Sequence, residues 1–447
     1  MLNLPPKLAE RSDPIQVGII GAGFFGSKLA TQVERVRGMT TSAIADIDES
    51  TARKTFNELG VPEQDVRVID DEQDLAATLN EVGRAITTDG TLLARSDVDI
   101  VVEATGIPEV GAEHAYEALN SGNDVVMVTV EADTVVGPEL QELAERRDAI
   151  YSLAYGDQPA LIVELCDWAK TVGLDIVAAG KGVASAEEYR YGTPDDVFER
   201  MGFEMTFVEG HDLNPQMYNS FLDGTKVAVE MCAVANATGL APDVSGMHLP
   251  TAGIPEIPKK LRPKSDGGVL NQQGIVDTVY SLQSDGSMVS QDISYGVFVV
   301  TTTPDEGVRE YFDEISGSGM YVSNGGKYQV FYRPHHLPGT ETTVSIANVT
   351  LRGEPTGNPS GRVAEVVGAA KRDLDAGERL DGGGGYTVYG LLVDAERAER
   401  RDYVPFELLE GTTLKNDVSR DDVITFDDVN VDEETICYRL RYGSVAD

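Results

Sequence analysis

Cysteine is scarce: Cys166, Cys232 and Cys437 are the only three in 447 residues, and they lie far apart. An odd number with no C-x-x-C pair excludes a disulfide framework and a zinc-type spacing, and fits a reducing cytoplasm. Long apolar runs are missing too. Nothing approaches the ~20 residues of a membrane helix, and the opening MLNLPPKLAERSDP lacks the apolar core of a signal peptide. A soluble, cytoplasmic chain with no membrane partner is expected. The largest deficit is positive charge, with 36 basic residues against 75 acidic, net −39, and only 12 lysines among the 36. No basic stripe exists to meet phosphates, which excludes nucleic acid as a partner. The acids are spread along the whole length rather than gathered in a tail. They read as a hydrated surface suited to high salt, where long-range repulsion is screened, as in a salt-accumulating halophile.

What is present is organised around Ile15–Asp48. The β-branched run Val17–Ile20 reads as a buried strand and stops at Gly21-Ala22-Gly23-Phe24-Phe25-Gly26, a G-x-G-x-x-G. The following helix places Phe25, Leu29, Val33 and Val36 on one face. A second apolar run, Ser42–Ile47, carries Asp46 near its end. Each glycine has a physical task. Gly21 permits the tight turn, Gly23 lets the backbone approach a pyrophosphate, and Gly26 lets helix and strand pack closely. The helix N-terminus offers its free N–H groups to the anion. Asp46 accepts hydrogen bonds from both ribose hydroxyls and repels a 2′-phosphate, so NAD is favoured, with NADP as the alternative.

Further along, residues 49–96 read as a polar, helical excursion. Strands return at Val98–Val102, Asp124–Val128 and Ala149–Leu153, with helices near 109–121 and 137–147 between them. This alternation implies a parallel sheet with right-handed crossovers. Ligands bind outside the carboxyl ends of such strands, which selects Thr105, Gly106, Glu131 and Asp157 as neighbours of the dinucleotide; Ala104 is a further cofactor candidate, beside Gly21, Gly23, Phe24, Phe25, Gly26 and Asp46. A helix at about 159–171 leads to the strand Asp175–Ala179 and to Gly180-Lys181-Gly182. Beyond it, strand runs at Gly296–Thr302, Tyr328–Tyr332 and Thr343–Leu351 mix with glycine and proline loops. The expected fold class is α/β: a doubly wound Rossmann domain over 1–158, an α+β substrate and dimerisation domain over 159–352, a linker at 353–361, and a small β-rich domain over 362–447.

Several side chains carry candidate chemistry. Lys181, between two glycines at a strand end, suits a substrate hydroxyl or a developing alkoxide; otherwise it is a surface lysine in a turn. His248 closes NATGLAPDVSGMH and suits proton transfer to or from a carbinol oxygen, unless it is a buried, satisfied histidine. Glu131 and Asp157 at neighbouring strand ends could bind a divalent ion or act as acid and base, or simply bond loop amides. Asn236 and Thr238 either orient substrate or cap a helix. His335 and His336 are adjacent and point to opposite faces on a strand, a poor metal signature. Trp168 reads as core.

The stretches EATGIPEVGAE (103–113), VEADTVVGP (130–138), IYSLAYGDQP (150–159), AAGKG (178–182), NATGLAPDVSGMH (236–248) and YRPHHL (332–337) resemble the homoserine-dehydrogenase-like oxidoreductases with a C-terminal SAF domain. Within that group the chain is similar to the 1-deoxy-D-xylulose 5-phosphate reductoisomerase-like enzymes. The SAF-like part would cover about 362–430. The resemblance implies an NAD(P)-dependent oxidoreductase acting on a small-molecule substrate, His336 as the site histidine of its pair, and a homo-oligomer. In the family the G-K-G loop continues with Lys and two Asn, but here with Val183-Ala184-Ser185-Ala186. Homoserine dehydrogenases hold a Lys where this chain has Glu131. The expected reaction is hydride transfer between nicotinamide and a hydroxyl or carbonyl of a small polar metabolite. The alternatives are a reductoisomerase on a small sugar phosphate, usually needing a divalent metal, and a non-catalytic NAD sensor.

Overall fold

A computed structural model describes residues 3–81, 83–204, 206, 208, 213–317 and 319–443. The chain forms two compact units. The first comprises residues 1–161, 337–359 and 434–447; the second comprises 162–336 and 360–433.

The first unit is built on a seven-stranded sheet. Its strands are β1 (Ile15–Ile20), β2 (Met39–Ala45), β3 (Val66–Val68), β4 (Arg84–Thr87), β5 (Ile100–Glu103), β6 (Val125–Met127) and β7 (Tyr151–Leu153). The order is β3-β4-β2-β1-β5-β6-β7 and every pairing is parallel. Successive strands leave β1 in opposite directions, toward β2 and toward β5, which makes the carboxyl end of β1 the switch point where a doubly wound sheet opens a crevice. The fold is therefore the Rossmann-like α/β class expected. Ile15, Val17 and Ile19 pack with Leu29 and Val33 of the helix Phe24–Arg35, and with Ile346, Ala347 and Val349 from late in the chain.

The second unit holds a mixed six-stranded sheet of β8 (Asp175–Val183), β9 (Ala241–Pro242), β10 (Ile275–Tyr280), β11 (Val297–Thr302), β12 (Tyr321–Ser323) and β13 (Tyr328–Arg333), in the order β12-β13-β11-β8-β10-β9. β8 pairs parallel with β10 and antiparallel with β11. A small antiparallel pair, β14 (Ala364–Ala370) and β15 (Val388–Asp394), belongs to the same unit, which thus includes the residues read as SAF-like.

Three local expectations are corrected. Residues 49–96 contain β3 and β4, whose short length and mixed polarity hid them. Thr343–Arg352 is a helix, not a strand. Its β-branched residues suggested extension, but Ser345 Oγ accepts from Tyr155 N at 2.8 Å, and Ile346, Ala347 and Val349 bury into the first core, so tertiary contacts override propensity. The helix expected at 137–147 begins at Val130, so Glu131 sits in its first turn rather than at a strand end. Pro138 lies inside that helix.

Candidate active site

In the first unit the glycine loop has the form a pyrophosphate needs. Gly21 has φ +94°, and a Cβ there would stand 2.7 Å from Ala104 O and 2.9 Å from Thr105 N. A Cβ on Gly26 would stand 1.9 Å from Gly21 O. Nothing lies within 4 Å of a Cβ built on Gly23, the N-cap of the helix Phe24–Arg35, so the approach to its free N–H groups is open. Asp46 closes the loop: Oδ2 accepts from Ala22 N at 2.8 Å and Oδ1 from Asp48 N at 2.9 Å. Each oxygen keeps a second lone-pair direction for a ribose hydroxyl. Phe25 packs on the core, whereas Phe24 is 82% exposed and Ile47 92%. Ile47 was not singled out from sequence. An exposed branched side chain beside the ribose acid offers an adenine ring an apolar face, and its only sequence signal is its place after Asp46.

The strand end after β5 borders this loop. Glu103 is fully buried, and its Oε1 accepts from Thr105 N at 3.1 Å and from Thr105 Oγ1 at 2.5 Å. Gly106 N donates to Thr129 Oγ1 at 2.9 Å. Ala104, Thr105 and Gly106 are thus held against Gly21 and near the helix that begins with Val130 and Glu131. Asp157 Oδ1 accepts from Gln158 N at 2.9 Å, at the start of the helix Gln158–Thr171. The structure brings the cofactor candidates together. These residues fit a dinucleotide: a tight turn, an open N-terminus and an acid for ribose. Among the described residues no group of three or more His, Cys, Asp or Glu is arranged to hold a metal ion.

In the second unit each candidate has partners of its own. Lys181 is buried on β8, and its Nζ meets Glu230 Oε2 at 2.5 Å, both side chains nearly free of solvent. It lies opposite Thr278 of β10 and Val297 of β11, hence on the same sheet face. Asn236 is fully buried, and its Oδ1 accepts from Val363 N at 2.7 Å and Ala364 N at 3.0 Å. It staples two backbone segments, which is how the structure uses its amide. His336 is half-buried, with Nδ1 2.8 Å from Tyr295 O.

His248 stands in a more elaborate setting. Its Nε2 is 2.6 Å from Asp243 Oδ2, a nearly buried carboxylate that also accepts from Asn271 N at 2.7 Å. A carboxylate partner requires the proton on Nε2, which leaves Nδ1 with the lone pair. The backbone is fixed as well. Asp277, fully buried on β10, accepts from His248 N at 3.0 Å, Leu249 N at 3.0 Å and Thr278 N at 2.8 Å. Burial pushes the Asp277 carboxyl up to about 6 against the opposing pull of these N–H groups. On either side of His248, Met247 (φ 66°) and Leu249 (φ 50°) take left-handed backbone that costs non-glycine residues ~1–3 kcal/mol each. A buried carboxylate thus holds the strained backbone on both sides of His248. The turn lines a polar cavity of about 420 Å³, whose wall includes Glu187, Glu188, Arg190, Ser245, His248 and Tyr280. Asp243, Asp277 and Arg190 were not anticipated from sequence. Only Asp243, five residues before His248, left any signal there.

Residues 21–154 match the family model described as the NAD-binding domain of homoserine dehydrogenase, and residues 156–342 match that described as the catalytic domain of oxidoreductase DRL. The chain has an NAD(P)-binding oxidoreductase fold. No curated protein matches its sequence. Solved structures similar to it include a probable dehydrogenase from Thermotoga maritima, 13% identical over 77% of this chain and 90% of that one, with a TM-score of 0.38. Another is scyllo-inositol dehydrogenase from Lactobacillus casei, 14% identical over 78% and 92%, with a TM-score of 0.38. A third is 1-deoxy-D-xylulose 5-phosphate reductoisomerase from Zymomonas mobilis, 10% identical over 77% and 83%, with a TM-score of 0.37. Among the described residues no helix is long and apolar enough to cross a membrane.

Proposed function

We propose that this chain is an NAD-preferring dehydrogenase that moves a hydride between nicotinamide and a hydroxyl or carbonyl of a small polar metabolite, with His248 carrying the proton. The observation that carries the reading is the Asp243–His248 pair opening on a polar cavity in the segment that matches an oxidoreductase catalytic domain. Bound NAD supplies the hydride acceptor. Residues 21–26 would hold its pyrophosphate, and Asp46 its adenosine ribose. Asp243 keeps the imidazole in the tautomer whose Nδ1 accepts the proton of a substrate hydroxyl, and it balances the imidazolium that results. Asp277 positions His248 through the backbone. Lys181 and Glu230 form a buried charge pair between β8 and the helix Thr225–Thr238.

The test mixes purified chain with NAD and a panel of polyols and hydroxy acids in molar KCl, and follows nicotinamide absorbance. Turnover is expected, with a fall of ~10²–10⁴ in His248→Gln. Cofactor binding without turnover on any substrate would leave the sensor reading in its place. A product with a rearranged carbon skeleton would point to the reductoisomerase.

A further inference from the structure

One of the chain's few cationic side chains reaches the His248 cavity. Arg190 sits on the wall of the His248 cavity, partly buried, and among the described residues it has no Asp or Glu within ion-pair distance. Its neighbours are aromatic. The guanidinium lies 5.5 Å from the centroid of the Tyr389 ring and beside the Tyr280 hydroxyl, whose pKa burial pushes up to about 12. The Tyr280 hydroxyl and, more weakly, the Glu187 carboxylate act on the guanidinium, and its five N–H donors outnumber these neighbours. In the same wall Ser245 Oγ is buried and has no hydrogen-bond partner among the described residues.

We infer that Arg190 is an anion anchor, and that the ligand of this cavity bears a small oxyanion, a carboxylate or a phosphate monoester. This rests on the proposed reading of the cavity as the substrate site. A planar fork of donors matches two oxygens of such a group, and Ser245 Oγ supplies a further donor. The volume of about 420 Å³ suits a small metabolite. Sequence had shown that no cation follows Gly180-Lys181-Gly182 within Val183–Ala186; the structure supplies one four residues later, at Arg190. Glu187 and Glu188 line the same cavity but are exposed and make no ion pair with Arg190. They turn away ligands with several negative charges, so the carboxylate is favoured over the phosphate.

The test measures binding by calorimetry without cofactor, at constant ionic strength. The probes are inorganic phosphate, a three- to five-carbon hydroxy carboxylate, and the amide of that acid. Wild type should bind one of the anions at least about tenfold tighter than the amide, the worth of one charge-assisted hydrogen bond. Arg190→Gln should lose that difference and Arg190→Lys should keep part of it, with melting curves confirming that both variants fold. Tighter binding of the carboxylate or of phosphate identifies which oxyanion the site takes, and equal binding of both supports the anchor for either. Equal anion affinity in Arg190→Gln and wild type overturns the assignment, as does wild type that binds neither anion at tens of millimolar. Since no turnover is read, a chain that binds anions but transfers no hydride would retire the proposed reaction and keep the anchor.

Discussion

Lys181 cannot be neutralised alone without consequence. Its ammonium and the Glu230 carboxylate are both buried and in direct contact, so Lys181→Met leaves a charge stranded in the core. Denaturant unfolding should show a loss of about 3–5 kcal/mol for Lys181→Met, and a much smaller loss when Glu230→Leu is added, because the pair is then removed together. Losses that simply add would mean the two groups are not coupled. Asp46 belongs at the same scale. The wild type should bind NAD more tightly than NADP, and Asp46→Ser should narrow the gap by about tenfold, near 1.4 kcal/mol; titration of both cofactors reads it directly. Asp46 was legible because its chemistry is local: an acid at the end of the second strand after a glycine loop. Asp277 and Glu230 were not, since their partners lie 29 and 49 residues away and nothing in the intervening sequence encodes the contact.

Among the elements, the turn from Gly246 to Leu249 ties activity to pH through its scaffold. Asp277 is held by burial at about 6, above its usual value of 3.8. Below that point it takes up a proton, loses acceptor capacity and relaxes its grip on His248 N and Leu249 N. The kcat/KM profile should therefore carry an acid limb near pH 6 that Asp277→Asn displaces. Stability should move the other way. Because the folded-state pKa lies above the unfolded one, the native chain binds a proton between about pH 6 and 4 that the unfolded chain does not, so this group favours the fold increasingly as pH falls through that window. Activity and melting temperature that fall together through it would remove Asp277 from the account. At the glycine loop, Gly26→Ala places a methyl against Gly21 O. The backbone must shift, at ~1–3 kcal/mol or more, and NAD affinity should fall with it. The helix Phe24–Arg35 was readable from its periodic apolar face. The helix Thr343–Arg352 was not, because Val344, Ile346 and Val349 speak for a strand until Tyr155 and the core are in place.

For the whole molecule, net charge dominates. At 0.01 M ionic strength the Debye length is ~30 Å and acidic surfaces repel across the fold; at 1 M it is ~3 Å. Melting temperatures in dilute buffer and in molar KCl should differ widely; equal midpoints would leave the 75 acidic residues without an explanation in salt adaptation. Another consequence follows from the path of the chain. The first core needs Ile346, Ala347 and Val349, yet the segment ending at Leu161 leaves the first unit and returns only at Leu337. On a ribosome adding roughly 5–20 residues per second, the Rossmann sheet waits roughly 10–40 s for its last helix. Throughout that wait the nascent sheet displays the apolar surface that Ile346 and Val349 later cover. The cell must therefore shelter a half-finished nucleotide-binding domain, and a fragment ending at Leu161 should be recovered aggregated or chaperone-bound rather than folded.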